Sequence, residues 1–300
     1  MQAIARYTLS GPWQATLVVS LLGVGAWVLF PLMYLSGALM ALLAMQLGPG
    51  KASQVLLGGL MMQAVTGAVL LASPVAAVSL AALMWIPLVA LGSLVWQRGS
   101  IPPALMAAAL LGLMAVLGFY LLHADPGLWW QERVREAIDA RSSLPDGLAT
   151  SNQELATLVE GVAHYLPGAF AGVWVMGLAA SLLLGRWLQS RLYRPGAFGA
   201  EFRSWRLATA WTGVTGACVL VALWRPELAV NLLVPLAVVL CLPALGLLHA
   251  LLQHRAAARL WLGMLYGALV LLPHLVMVLA AVALVDSWMD FRGRARQRDY

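Results

Sequence analysis

This sequence has few charged residues. Only 10% of its 300 residues are Asp, Glu, Lys or Arg, against roughly 25% in a typical soluble domain. Hydrophobic residues make up 62% of the chain. A water-soluble fold cannot bury that much apolar surface, so the composition excludes an ordinary soluble enzyme or binding domain.

Cysteines and catalytic motifs are also scarce. Cys218 and Cys241 lie in separate apolar runs, which indicates reduced, buried thiols rather than a disulfide framework or a metal site. The chain has no H-E-x-x-H motif, no phosphate-binding G-x-x-x-x-G-K-[ST] motif, and no spacing of Ser, His and acid that suggests a triad. No apolar run holds the carboxylate pairs expected of a proton relay. We therefore predict a non-enzymatic protein with no catalytic residue, no metal and no cofactor.

The sequence is rich in long apolar runs. Eight or nine of them, each of about 18–26 residues, are long enough to cross a bilayer core of roughly 30 Å. The predicted fold is therefore all-α: a polytopic transmembrane helical bundle of eight to nine spans, forming one domain over residues 1–300. The predicted spans cover residues 13–30, 31–47, 52–72, 74–96, 102–122, 167–188, 207–224, 228–252 and 260–286.

Residues 124–165 form one long polar segment, predicted to be a helical insert outside the cytoplasm. Apolar residues from Leu128 to Ile138 recur at helical spacing. Ser151 and Glu154 are spaced as a capping box that opens a second helix. The insert is either a lid over an external cavity or a hairpin that only connects two spans.

Loop charges predict the orientation. The insert is mostly acidic, whereas residues 186–206 contain five arginines and one glutamate. Because short cytoplasmic loops are rich in Lys and Arg, residues 189–206 are predicted to be cytoplasmic in a multi-pass protein of the bacterial inner membrane. Nine spans would then put the Arg-rich C-terminal tail outside, against the same rule. A re-entrant segment would give eight spans and a cytoplasmic tail, and both arrangements stay open.

Polar residues inside the predicted spans are the candidate ligand-binding groups, because such residues are expensive in lipid and usually have a purpose. Gln63, Asn231 and His274 are the strongest candidates, and His274 follows Pro273 in the middle of a predicted span. A binding pocket needs an apolar wall with a few convergent polar groups. The alternative for each residue is a structural hydrogen bond or a close helix crossing.

Two local motifs and a set of small-residue patterns complete the candidates. The C-terminal motif, Asp286, Trp288, Asp290 and Arg292, predicts a helix cap anchored by an Asp–Arg pair, with substrate contact as the alternative. Small residues at four-residue spacing predict helix packing, with partner docking as the alternative. The patterns include Ala104-x3-Ala108-x3-Gly112, Gly168-x3-Gly172, Gly177-x3-Ser181-x3-Gly185, Gly213-x3-Ala217 and Gly263-x3-Gly267.

Three passages, residues 191–203, 249–272 and 286–292, together resemble the YybS-like (DUF2232) family of bacterial integral membrane proteins. The resemblance implies a distant relationship to the S components of energy-coupling-factor vitamin transporters, and residues 31–50 look like the early helices of such subunits. S components bind a small molecule from outside and pair with a transmembrane coupling subunit and cytoplasmic ATPases.

We therefore expect a transporter-type subunit that holds a small solute under the insert. Its cytoplasmic loop would meet partner subunits through Arg191, Arg194, Glu201 and Arg203. One alternative is a structural or scaffolding protein that associates with other membrane proteins, and another is a lipid-interacting protein. Membrane lipids are expected partners in every case. Nucleic acid is not, because the arginines lie in short loops between apolar runs.

Overall fold

The computed structural model describes residues 1–142, 161–253, 255, 257–291 and 293–294, with the backbone alone for residues 138–142. The capping box of the insert and Arg292 lie outside these residues. All regular structure in the described part of the chain is helical. The α-helices are α1 (Gln2–Leu9), α2 (Pro12–Gly25), α3 (Pro31–Leu47), α4 (Pro49–Leu71), α5 (Pro74–Arg98), α6 (Pro102–Leu122), α7 (Pro126–Ser142), α8 (Leu166–Tyr193), α9 (Ala197–Ser204), α10 (Ala210–Leu220), α11 (Pro226–Leu252), α12 (Ala258–Leu271) and α13 (Leu275–Met289).

Proline sets the start of many of these helices. Seven of the described helices begin at a proline, where the missing N–H would have no intrahelical partner in any case. The predicted spans 31–47 and 102–122 have the same bounds as α3 and α6. The predicted start at Pro74 is also the start of α5.

Helix α3 lies at the centre of the bundle and packs against α2, α4, α5 and α8. Its residues from Ala38 to Ala44 are almost completely buried. Glycines let the neighbouring backbones approach: a Cβ on Gly92 of α5 would lie 2.9 Å from the carbonyl oxygen of Ala41, and one on Gly185 of α8 would lie 2.7 Å from that of Ala38. A second layer forms around α11, which packs against α6, α8 and α13.

Polar contacts define the two ends of the bundle. At the first end, Gln189 Nε2 donates to Gln46 Oε1 over 2.8 Å, and Arg186 donates to the carbonyl oxygen of Gly99 over 3.3 Å. The C-terminal ends of α3, α5 and α8 therefore meet there, and we call it the basic end. The opposite end, where α7 follows α6, is the insert end.

The predicted single span over residues 260–286 is wrong. Helix α12 ends at Leu271 and α13 begins at Leu275, because Pro273 lacks an N–H and no neighbouring helix buries residues 271–274. Arg206, which follows α9, pairs with Asp290 at the end of α13 over 3.1 Å. The end of α13 therefore lies at the basic end, where α11 also ends, so the chain turns back between α12 and α13.

Five helices are long and apolar enough to cross a membrane, namely α4, α5, α6, α8 and α11. The outward faces are apolar as well: Leu121 is 87% exposed and Val28 is 86% exposed. These features indicate a membrane-embedded helical bundle. The other apolar helices have 11–17 residues, which is about 17–26 Å at 1.5 Å per residue. The total of eight to nine spans stays a prediction.

Candidate functional site

Gln63 lies in the contact between α2, α4 and α5 and is completely buried. Its Nε2 donates to the carbonyl oxygen of Ser20 over 3.1 Å. A Cβ on Gly23 would lie 2.5 Å from that nitrogen, so the close helix crossing expected around Gln63 involves α2. The Oε1 atom of Gln63 has no hydrogen-bond partner among the described residues.

Asn231 is buried at the insert end, where it joins three parts of the chain. Its Nδ2 lies 3.0 Å from the hydroxyl of Tyr120 on α6 and 2.7 Å from the carbonyl oxygen of His164. Its Oδ1 accepts the backbone N–H of Gly168, near the start of α8. A further contact, 2.8 Å long, runs from Nδ2 to the carbonyl oxygen of Glu227. Both polar atoms of the amide are therefore fully used inside the protein.

His274 is exposed and begins α13 as its N-terminal capping residue. Its side chain forms no hydrogen bond with a described residue. Gln63 hydrogen-bonds to α2, Asn231 contacts α6 and α8, and His274 lies at the break between α12 and α13. The structure thus does not bring the three candidates together, and a role in ligand binding stays a prediction for each.

The described residues of the C-terminal motif lie in the last turn of the helix and at its C-cap, namely Asp286 and Trp288 in α13 and Asp290 after it. Asp286 is buried, and its Oδ1 accepts the backbone N–H of Phe291 over 3.0 Å. Asp290 adopts a left-handed conformation with φ 47°, which Asp tolerates better than most residues. Its partner is Arg206, in the loop after α9. Trp288 is 70% exposed.

The basic loop after α8 is anchored by Arg186. Its Nε pairs with Glu201 Oε2 over 2.9 Å and its Nη1 donates to Gln189 Oε1 over 2.7 Å. Glu201 is one of the predicted partner-contact residues. One of its two carboxylate oxygens is therefore already used in a contact within the protein. Arg191 lies over the ring of Trp187, with its Cζ atom 5.5 Å from the ring centroid. Arg194 is exposed.

An apolar groove of about 480 Å³ lies at the basic end, on the outside of the bundle, and we call it the basic-end groove. Helix α12, which has no buried residue, forms one wall. The groove is lined by α8, α9, α11 and α12 through Leu183, Leu184, Trp187, Phe198, Gly199, Phe202, Arg203, His249 and Tyr266. Most of these side chains are aliphatic or aromatic, so the groove suits an apolar chain.

Arg203 and His249 each offer a polar group to a ligand in the basic-end groove. Arg203 forms no hydrogen bond or ion pair with a described residue, and its side chain is half-buried. His249 Nδ1 lies 2.9 Å from the carbonyl oxygen of Leu245. Because a carbonyl can only accept, Nδ1 carries the proton and Nε2 is the remaining polar atom. The spacing along the chain does not reveal that His249 meets Phe202 of α9 and Tyr266 of α12.

A second cavity of about 400 Å³ lies beside the groove, on the other side of Phe198, and we call it the polar cavity. Its walls carry both signs of charge, from Arg186, Arg194 and Glu201. Glu201 Oε1 is buried and has no hydrogen-bond partner among the described residues. A small polar solute could supply the missing donor.

The start of α7 is fastened to the bundle by aromatic rings. Trp129 packs edge-on against Phe119 of α6 at 5.2 Å between centroids. Trp130 stacks on Phe170 of α8 at 4.8 Å. The guanidinium of Arg133 lies 5.6 Å from the ring centroid of Trp129. The insert therefore begins in direct contact with the helix ends, whether it acts as a lid or as a connector.

The small-residue patterns divide into two groups. Gly112, Gly168, Gly172, Gly177 and Gly185 each leave less than 3 Å between a built Cβ and another helix, so these patterns serve internal packing. In contrast, a Cβ on Gly213 of α10, or on Gly263 or Gly267 of α12, would meet nothing within 4 Å. The small-residue faces of α10 and α12 are therefore open.

No protein-family model, curated protein or solved structure matches the chain. Membership of the YybS-like family and the relationship to S components therefore stay predictions. Within the described ranges, no three His, Cys, Asp or Glu residues are grouped so as to hold a metal ion. The basic-end groove combines apolar walls with Arg203, which has no ion-pair partner among the described residues.

Proposed function

We propose that this chain is a non-enzymatic membrane protein that binds an anionic lipid in the basic-end groove. The observation that supports the proposal is the guanidinium of Arg203, which has no partner among the described residues and lies at an otherwise apolar, aromatic groove. A guanidinium pairs well with a phosphate because its N–H groups match the phosphate oxygens. The aliphatic and aromatic walls suit an acyl chain.

The position of the groove supports the same ligand. By the positive-inside rule the basic end faces the cytoplasm, where anionic lipids give the bacterial inner membrane a negative surface. Basic pockets between transmembrane helices on that side are typical sites for anionic headgroups. The groove also lies on the perimeter, beside the exposed helix α12, so a lipid can enter it from the bilayer.

The Arg206–Asp290 pair supports eight spans rather than nine. If α12 and α13 together form a re-entrant segment, the end of α13 returns to the cytoplasmic side, in agreement with the arginines of the tail. This arrangement removes the conflict that the charges of the loops create for nine spans.

Native mass spectrometry of the gently purified protein tests the proposal. We expect an anionic phospholipid to remain bound to the unchanged protein and to be lost in Arg203→Gln. Arg98→Gln is the matched control, because it removes an exposed arginine from the same end without touching the groove. Equal lipid retention in all three proteins would contradict the proposal.

A second candidate is the transporter-type subunit that binds a small solute, and the polar cavity favours it. Glu201, whose Oε1 has no hydrogen-bond partner in the described part of the chain, and the exposed Arg194 offer opposite charges to a small polar molecule. The open faces of α10 and α12 would then meet a coupling subunit or another membrane protein. Arg194→Gln separates the two candidates: it should release a co-purifying solute and leave lipid binding unchanged. Partner polypeptides without any ligand would favour a scaffold.

A further inference from the structure

Arg203 and His249 line the basic-end groove from two different helices. Arg203 lies in the last turn of α9, and His249 lies in the last turn of α11. Both residues belong to the wall of the same groove. The ring of Phe202 stands edge-on to the imidazole of His249, with 5.5 Å between the two centroids. The groove therefore presents one cation and one imidazole to whatever occupies it.

The guanidinium of Arg203 turns back along α9 toward the groove. Its Nη1 lies 3.4 Å from the position that a Cβ on Gly199 would occupy. Gly199 is itself one of the residues that line the groove. The positive charge of Arg203 is therefore at the groove wall, where the missing side chain of Gly199 leaves room for it.

The imidazole of His249 is held in one orientation. Its Nδ1 lies 2.9 Å from the carbonyl oxygen of Leu245, and the rings of Phe202 and Tyr266 lie 5.5 Å and 5.9 Å from it between centroids. Because Nδ1 carries the proton in this contact, the lone pair of the neutral ring is at Nε2. His249 therefore offers the groove a hydrogen-bond acceptor.

An acceptor beside a guanidinium discriminates between headgroups. A phosphate oxygen cannot donate a hydrogen to Nε2, whereas a hydroxyl can. A headgroup ammonium can donate as well, but Arg203 repels it, and no carboxylate is among the described residues that line the groove. The donor that suits both Arg203 and His249 is an uncharged hydroxyl on an anionic lipid.

We propose that the basic-end groove selects an anionic phospholipid whose headgroup has a free hydroxyl, and that Nε2 of His249 accepts this hydroxyl. The hydroxyls of a glycerol headgroup lie on the carbons beyond the phosphodiester. One lipid thus offers its phosphate to Arg203 and a hydroxyl to His249. Arg203 provides the affinity for the anion, and His249 is the residue that determines the headgroup.

Competition between two matched lipids, followed by native mass spectrometry, tests the inference, which rests on the lipid site proposed above. The full chain would be stripped of lipid and offered equal amounts of phosphatidylglycerol and phosphatidylethanol with the same acyl chains. Both headgroups carry one phosphodiester charge, but only phosphatidylglycerol has free hydroxyls. We expect about fivefold more bound phosphatidylglycerol, the contribution of one net hydrogen bond.

Three histidine variants assign the preference. His249→Phe keeps an aromatic ring beside Phe202 and Tyr266 and should bind the two lipids equally. His249→Gln brings an amide oxygen to the place of Nε2 and should keep the preference. His274→Phe is the matched control, because it removes an exposed histidine that does not line the groove, and it should also keep the preference.

The outcomes separate this inference from the lipid site itself. Equal binding of both lipids by the unchanged protein, with both released in Arg203→Gln, would overturn the inference and leave the lipid site standing. An undiminished preference in His249→Phe would also overturn it. If the unchanged protein holds neither lipid, the lipid site and the inference fail together.

A spectroscopic measurement decides if His249→Phe fails to fold. Nitrogen NMR of the unchanged protein, labelled at histidine, reports a hydrogen bond to Nε2 directly, and the His249 signal is assigned as the one absent from His249→Gln. We expect this signal to shift when phosphatidylglycerol is added and to stay in place with phosphatidylethanol. The same spectrum with both lipids would overturn the inference.

Discussion

Replacing Asn231 by leucine should destabilise the fold by about 2 kcal/mol. The side chain forms hydrogen bonds to three other parts of the chain, at Tyr120, His164 and Gly168. Interhelical hydrogen bonds in membrane proteins contribute about 0.6 kcal/mol on average and up to about 1.7 kcal/mol. Three such bonds therefore sum to about 2 kcal/mol, with an upper limit of roughly 5 kcal/mol. Leucine has a similar size, so packing changes little.

Unfolding by SDS in mixed micelles, followed by circular dichroism, measures this loss. Thr66→Val is the matched control, because Thr66 Oγ1 donates only to carbonyls of its own helix, and we expect its effect to be about 0.5 kcal/mol or less. If Asn231→Leu is no more destabilising than Thr66→Val, Asn231 does not hold the insert end together. A stable Asn231→Leu variant that loses a bound solute would instead support the prediction that this residue binds a ligand.

Three further predictions concern helix packing, the loop pair and the orientation. Gly168→Ala should abolish stable folding, because the new Cβ would lie 2.5 Å from the backbone of α11. Gly118→Ala is the control and should be neutral, because there is open space around Gly118. Size-exclusion chromatography of both variants measures the difference. Arg206→Gln should change the SDS midpoint only slightly, since its ion pair with α13 is about half exposed and such pairs contribute about 0–1 kcal/mol; a large loss would show that the pair is energetically important. The new thiol of Arg294→Cys should react with a membrane-impermeant maleimide only from the cytoplasmic side, and that of Asp125→Cys only from outside. Labelling of both variants from the same side would refute the orientation.

The helix starts were predictable because they depend on local chemistry. Pro31, Pro74 and Pro102 are the first residues of α3, α5 and α6, and proline is favoured at this position whatever the helix packs against. The bounds of α3 and α6 are the predicted ones. A long apolar run between two such signals is therefore read correctly from the sequence.

The break near Pro273 was not predictable, because it depends on packing. Pro87 of α5, and Pro235 and Pro243 of α11, stay inside continuous helices. Pro235 and Pro243 are buried by neighbouring helices, which hold a helix together where proline has removed a backbone bond. Pro273 is exposed, and there the helix ends. The sequence shows where a proline lies, but not which neighbouring helices pack against it. Those neighbours decide whether the helix continues through the proline or ends there.

The candidate sites divide in the same way. Arg203 was identified from the loop pattern, but His249 joins it only because α9 packs on the end of α11. Asn231 and Gln63 were correctly identified as buried polar groups in helices. Whether such a group faces a cavity or a neighbouring backbone depends on the three-dimensional arrangement of partners like Ser20, and no spacing in the sequence carries that information.

Lipid occupancy of the basic-end groove is tested most directly by photocrosslinking. The protein would be reconstituted with an anionic phospholipid carrying a diazirine in its acyl chain, and the labelled peptides mapped by mass spectrometry. We predict that labels concentrate at Leu183, Trp187 and Tyr266, and that Arg203→Gln removes them while Arg98→Gln does not. Labels spread evenly over exposed residues such as Leu121 and Val28, unchanged in Arg203→Gln, would contradict the proposed lipid site.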